Sequence, residues 1–259
     1  MNPDLELALE LADAADAITV RHFRSGDLEV ETKADLTPVT EADRAVEKAV
    51  AQGVAAARPG HSVVGEEFGA GGAEGARARW IIDPIDGTKN YVRGIPVFAS
   101  LLALEVDGEV VVGVASAPAL GRRWWAARGE GAFADGDRIR VSATSAVSDA
   151  LLSHSSIEGW EKARRLSPFL ELVHAVGRTR GFGDFWQHVL VAQGSVDVAI
   201  EPEVSLWDLA ALLVIVEEAG GRLTDLRGTR TAAGGDVISS NGHLHDEVLA
   251  RINAGTSTG

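Results

Sequence analysis

Apolar residues recur along this chain at two spacings, and the change from one to the other divides it into elements. Leu5, Ala8, Leu9, Leu11, Ala12, Ala15, Ile18 and Phe23 fall at helical intervals with acids between them, which predicts an amphipathic helix over 4–24. Val46, Val50 and Val54 place a second helix over 40–57, opened by Thr40-Glu41-Ala42-Asp43 at capping-box spacing. The polar residues 26–37 between the two, Lys33 among them, predict a mobile segment. Residues 61–64 and 80–82 read as short strands. Each runs into acids, Glu66 and Glu67 after the first, Asp83 and Asp86 after the second. Pro84 and Gly87 are strand breakers, so the reading ends the second strand at a turn there. Residues 69–77, rich in Gly and Ala, predict a flexible surface loop able to gate a neighbouring site.

Farther along, residues 97–106 and 110–116 flank Asp107-Gly108, a strong hairpin signal. Residues 124–126 and 139–141 continue the β pattern around Asp135-Gly136. A helix is predicted over 160–176, and a shorter one after Gly181-Phe182-Gly183-Asp184. A strand over 196–200 ends at Glu201-Pro202, and the most apolar helix, 206–219, is closed by Gly220-Gly221. Strands at 221–224 and 237–239, a short helix from His245 and a disordered tail at 254–259 complete the pattern. Early hairpins followed by alternating strands and helices predict a layered α+β or mixed α/β fold. The expected organisation is one unit of two lobes, about 1–145 and 146–253, with the acids between them.

Composition narrows the function. At 259 residues, 46% apolar and 24% charged, the chain has the make-up of an ordinary soluble protein with a sizeable core. A net charge of −14 argues against nucleic acid as partner. It also means that an anionic ester would need cations to reverse the local sign. The absence of cysteine excludes disulfides and thiolate metal sites. No apolar run reaches membrane-spanning length and the amino terminus lacks a basic signal region, so no membrane partner and a cytoplasmic location are expected.

The candidate chemistry lies at the element ends. Two carboxylates three residues apart either repel each other or share a cation, and hard divalent ions such as magnesium take oxygen ligands. Local roles stand beside that reading. Asp83 and Asp86 suit a turn, Asp43 and Asp208 suit the first turn of a helix, and Asp184 suits an N-cap after Gly183. His154, His174 and His188 read as packed or surface residues and are assigned to no site.

Taken together, Gly65-Glu66-Glu67, Trp80-Ile81-Ile82-Asp83-Pro84-Ile85-Asp86-Gly87-Thr88 and Trp207-Asp208-Leu209-Ala210-Ala211, closed by Gly220-Gly221, resemble the inositol monophosphatase family. The resemblance extends over nearly the whole chain, including Asp35, residues 37–43 and 129–142, and Asn241-Gly242. It implies a layered αβαβα sandwich of the inositol monophosphatase/fructose-1,6-bisphosphatase type. It further implies a homodimer that hydrolyses small phosphate monoesters with two or three Mg2+ ions. On this resemblance Glu66, Asp83 and the backbone carbonyl of Ile85 hold a first metal. Asp83, Asp86 and Asp208 hold a second, and Glu66 reaches a weaker third. Gly87 and Thr88 bind the phosphate through their backbone, Thr88 is linked to Asp43 by an activating hydrogen bond, and Lys33 closes over the site. Two such cations about 4 Å apart would stabilise both the attacking and the leaving oxygen.

Substrate choice turns on two further positions. Glu201 matches the family glutamate that contacts the substrate's organic part, and Asp184 stands where inositol-specific members carry a small residue. With Lys89-Asn90-Tyr91, Arg122-Arg123-Trp124-Trp125 and Gly183-Asp184-Phe185, they resemble the histidinol-phosphatase branch. That implies histidinol phosphate, with its ammonium and imidazole, as substrate, because an unpaired buried carboxylate is costly and suits a cation. The alternatives are an inositol-1-phosphatase or broad sugar-phosphate phosphatase, and a non-catalytic regulatory protein, against which the complete acid set argues.

Overall fold

A computed structural model of the chain describes residues 2–25, 30–32 and 38–254. Lys33, Asp35 and Thr37 lie outside those residues, as do 255–259. Two helices, α1 (Pro3–His22) and α2 (Glu41–Ala57), are separated in the chain by a ribbon of β1 (Val30–Thr32) and β2 (Pro38–Thr40). The first large sheet contains β3 (Ser62–Gly65), β4 (Gly69–Gly72), β5 (Ala78–Asp86), β6 (Ala99–Val106), β7 (Glu109–Ala117), β8 (Arg122–Ala127), β9 (Gly131–Ala134) and β10 (Asp137–Arg138). Its spatial order is β10-β9-β8-β7-β6-β5-β3-β4, and a short helix, α3 (Thr88–Val92), follows β5. The second sheet contains β11 (Leu151–His154), β12 (Arg178–Arg180), β13 (Val198–Glu201), β14 (Arg222–Thr224) and β15 (Val237–Ser240), in the order β12-β11-β13-β15-β14. The remaining helices are α4 (Ile157–Lys162), α5 (Leu166–Ala175), α6 (Asp184–Ala192), α7 (Leu206–Glu218) and α8 (His245–Ile252).

Alternation along the strands stacks these elements into five layers. Ile82, Leu102, Leu104, Val112 and Val114 pack under α1 and α2. Their neighbours Ile81, Leu101, Ala103 and Ala115 face the opposite way, onto Phe185 and Val189 of α6 and the apolar run of α7. The second sheet covers the far side of that helix pair. This explains the composition of α7, in which residues 209–216 are all buried, since a helix enclosed on every side has no polar face to keep. Trp160, Phe169, Leu172, Val248 and Ile252 close the outer face of the second sheet. The result is the αβαβα sandwich that the resemblance implies. Among the described residues no helix is long and apolar enough to cross a membrane.

Several local expectations are corrected. The strand at 80–82 does not end before Pro84; β5 continues to Asp86 through an irregularity in which Asp83 pairs with Leu101 and Asp86 with Ala99. Pro84 falls inside the bulge, where no ladder donor is required. Part of the Gly-rich loop at 69–77 is the edge strand β4, antiparallel to β3. The polar stretch 26–37 contains β1. The helix expected over 160–176 is two helices that meet at Arg164, whose φ is 56°. Pro168 lies in the first turn of α5 and has no N–H to give the carbonyl four residues back, so one continuous helix cannot form. The β pattern at 139–141 stops with β10 at Arg138, and β11 and β12, too short to show a period, escaped the pattern. Both Asp-Gly turns are as expected, with positive φ at Asp107, Gly108, Asp135 and Gly136 as a tight hairpin requires.

Candidate active site

β3 and β5 are parallel, with Gly65 opposite Ile82, so Glu66, the first residue after β3, comes level with Asp83, where β5 enters its irregularity. Asp86 follows at the end of the bulge, and Asp208 comes from the first turn of α7. One oxygen from each of Asp83, Asp86 and Asp208 lies within 4.8 Å of the others. Helix N-termini anchor two of the three. Asp86 Oδ2 accepts the Phe185 N–H of α6 at 2.6 Å, and Asp208 Oδ2 accepts the Ser205 N–H at 2.7 Å. The capping role of Asp208 and its convergence with the other acids therefore coexist, as the four lone-pair sites of a carboxylate permit. Asp83 Oδ1 is buried and has no hydrogen-bond partner among the described residues.

Such a cluster resists ionisation. Burial raises Asp83 and Asp86 well above the usual carboxylate range. The charges of Glu66, Asp86 and Asp208 raise Asp83 further, and those of Asp184 and Asp208 raise Asp86. Asp208 is pushed up to about 7, first by burial and then by Glu66 and Glu201, against the Ser205 N–H that lowers it. A cation would relieve both causes at once. Three convergent carboxylates and an orphaned buried oxygen fit a hard divalent ion.

Glu66 stands outside that compact trio, close enough for its charge to act on Asp83 and Asp208. Its turn is held by Glu47 of α2, which accepts the N–H groups of Glu67 at 2.7 Å and Phe68 at 2.9 Å. The Ile85 carbonyl accepts the Thr88 hydroxyl at 2.9 Å. The implied link between Thr88 and Asp43 is not formed, and among the described residues no hydrogen bond joins them. Asp43 Oδ2 instead accepts both the Thr40 N–H at 2.8 Å and the Thr40 hydroxyl at 2.6 Å, because the capping box of α2 supplies donors at fixed local spacing. Burial raises Asp43 to about 6, and the charges of Glu67 and Glu66 add to this.

Gly87 precedes α3 in a left-handed conformation, φ 82°. A Cβ there would lie 3.0 Å from the Val97 carbonyl and 3.4 Å from Asp184 Oδ2, so only glycine fits. The first N–H groups of a helix have no intrahelical acceptor; those after Gly87 are therefore available to an anion beside the acids. Asp184 is not the N-cap of α6. Gly183 holds that place, and Asp184 is the first helical residue, at φ 49°. Its Oδ2 accepts Asn90 Nδ2 at 2.9 Å, and burial, then Glu201, raise it to about 6.

A cavity of roughly 330 Å³ opens beside the acids, lined by Asp86, Lys89, Ser155, Asp184, His188, Glu201, Glu203 and Asp208 among others. Lys89 and His188 are additions to the residues read from sequence, where His188 passes for a packed residue. Its ring is 1% exposed and its Nε2 lies 3.0 Å from Glu201 Oε1. Its spacing from Asp184, four residues on one helix face, carries the signal. His154 instead packs on Phe169 with Nδ1 at 2.7 Å from the Ser155 carbonyl, and His174 lies in the last turn of α5.

A five-layer sandwich whose strand ends and helix N-termini bring acids to one cavity defines a class of protein, and the comparisons agree. The chain belongs to the inositol monophosphatase family, whose sequence profile matches residues 1–256. It is 55% identical over 257 residues to a protein of Mycobacterium tuberculosis named histidinol-phosphatase, covering 97% of this chain and 98% of that one. A Streptomyces coelicolor protein of the same name is 54% identical over 259 residues, covering 96% and 97%. The crystal structure of the extragenic suppressor protein SuhB from Bartonella henselae superposes with a TM-score of 0.90 at 31% identity, covering 96% of this chain and 98% of that one.

Proposed function

We propose that this protein is a magnesium-dependent phosphate monoester hydrolase that converts histidinol phosphate and water to histidinol and inorganic phosphate. The observation that carries the proposal is one cavity lined both by Asp86 and Asp208, two members of the cluster with Asp83, and by three further acids, Asp184, Glu201 and Glu203. A phosphate end and a doubly cationic organic end match those two acid groups in turn. The high identity to proteins named histidinol-phosphatase supports the same reading.

Mg2+ held by Asp83, Asp86 and Asp208, with Glu66 and the Ile85 carbonyl as further ligands, would supply charge neutralisation and an acidified water. The chain's own groups do the positioning. The backbone N–H groups of Gly87 and Thr88 orient the phosphate. The Thr88 hydroxyl, turned from the Ile85 carbonyl towards Asp43, passes a proton from the attacking water to that carboxylate. As the water oxygen joins phosphorus, the ester P–O bond breaks, the departing alcohol oxygen takes up a proton from solvent water, and Asp43 returns its proton to solvent. Asp184 and Glu201 hold the ammonium and imidazole. A homodimer, as the family resemblance implies, belongs to this proposal.

Steady-state kinetics with histidinol phosphate and inositol-1-phosphate, with and without magnesium, test it. Histidinol phosphate should have the higher kcat/KM, Asp184→Ala should erode that preference, and Asp86→Asn should lower kcat by about a hundredfold or more. A higher kcat/KM for the inositol ester would refute the substrate, and an unaffected Asp86→Asn enzyme would refute the mechanism.

A further inference from the structure

We propose that Gln187 and His188 are positioning residues that set substrate selectivity by fixing the carboxylate of Glu201. The inference rests on the function proposed above. Both residues belong to α6, and both reach the same atom of β13. Gln187 Nε2 donates to Glu201 Oε1 at 2.6 Å, and His188 Nε2 lies 3.0 Å from it. Each is itself held from behind. Ser153 Oγ donates to Gln187 Oε1 at 2.9 Å, and Ser239 Oγ lies 2.7 Å from His188 Nδ1. Ser239 therefore serves as the donor to Nδ1, leaving the Nε2 proton for Glu201. Gln187 and His188 are 0% and 1% exposed, so neither can exchange its partner for water.

The consequence is a carboxylate with two unlike oxygens. Oε1 is saturated by two donors, whereas Oε2 accepts no hydrogen bond among the described residues, and Glu201 lines the cavity. Two donors fix Glu201 Oε1 in place. They also stop it from turning away from the cavity, so its negative charge is presented to the substrate at no cost in side-chain ordering. A cationic ester gains from a fixed, desolvated anion. A neutral polyol phosphate must hydrogen-bond it and gains less.

The test is the ratio of kcat/KM for histidinol phosphate to that for inositol-1-phosphate, with folding of each variant followed by thermal melting. Gln187→Met and His188→Phe keep bulk and remove the donor; each should lower the ratio about tenfold, mainly through KM for the cationic ester. His188→Gln, which keeps an N–H, should recover most of it. In a Glu201→Gln background, His188→Phe should change the ratio less than twofold. Should His188→Phe fail to fold, Gln187→Met decides the matter. A ratio that stays within twofold of wild type, an equal loss for both esters, or full additivity with Glu201→Gln would overturn the proposal. Wild-type protein that does not turn over histidinol phosphate would refute the assigned function itself; wild-type turnover with an unchanged ratio would refute only the role of Gln187 and His188.

Discussion

Gly65 is the tightest point of the scaffold around the acids. A Cβ there would fall 2.0 Å from Glu47 Oε1, and that carboxylate cannot retreat, because it accepts the backbone N–H groups of Glu67 and Phe68. Gly65→Ala should therefore cost about 2 kcal/mol of stability or more by overpacking, read from urea denaturation. It should also weaken magnesium activation, because Glu66 is carried on the same turn. Stability within 0.5 kcal/mol of wild type would mean that Glu47 moves freely. The residue scale also shows why the local readings of Asp43 and Asp208 are incomplete rather than mistaken. Asp208 does cap α7 and Asp43 does cap α2, and a carboxylate with two oxygens can serve a helix and a site together.

Helix starts matter more than helix interiors here, since α2, α6 and α7 all begin near the acids. Thr40 caps α2, with its hydroxyl oxygen 3.1 Å from the Ala42 N–H. Thr40→Ala should destabilise the fold by about 1–2 kcal/mol and lower kcat by loosening Asp43; unchanged unfolding would show that α2 is fixed by packing alone. α8 supplies a pH-dependent element. His245 Nδ1 lies 2.8 Å from Ser240 Oγ, and its Nε2 lies 2.9 Å from Thr224 Oγ1, whose own proton goes to the Asp225 carbonyl. The neutral ring is thus fully satisfied. Burial, with the charge of Arg222, lowers its pKa to about 4 from 6.5. Above pH 6.5 the ring is neutral in both folded and unfolded states and contributes no pH dependence. As pH falls below 6.5 the unfolded chain takes up a proton that the folded one refuses. This should remove about 2 kcal/mol of stability by pH 5, and the loss should level off below pH 4. Chemical denaturation at pH 7 and pH 5 should show this loss in the wild type and much less of it in His245→Gln.

At the scale of the whole molecule, the sandwich holds several mutually repelling carboxylates at the meeting of two sheets and a helix layer, and burial intensifies that repulsion. Millimolar Mg2+ should raise Tm by several degrees, because a ion that binds only the folded state stabilises it, and excess chelator should reverse the rise. An unmoved Tm would remove the cation from this cluster. The amino-acid sequence alone determined the elements whose signals are local: the two Asp-Gly hairpins, the capped helices, the buried α7 and the acids at element ends. Turn chemistry and side-chain period act within a few residues and can be read along the chain. Family motifs carried the reading further, to the five-layer stacking and to the set of acids. Tertiary structure alone decided the partners. Asp86 meets the N–H of Phe185 and Asn90 meets Asp184, contacts made across most of a hundred residues by the stacking of α6 on the first sheet. It also carried β5 through Pro84, kept the Thr88 hydroxyl on Ile85 instead of Asp43, and moved His188 from the bland core to the side of Glu201. Those outcomes depend on which surfaces pack together, and no local period records that.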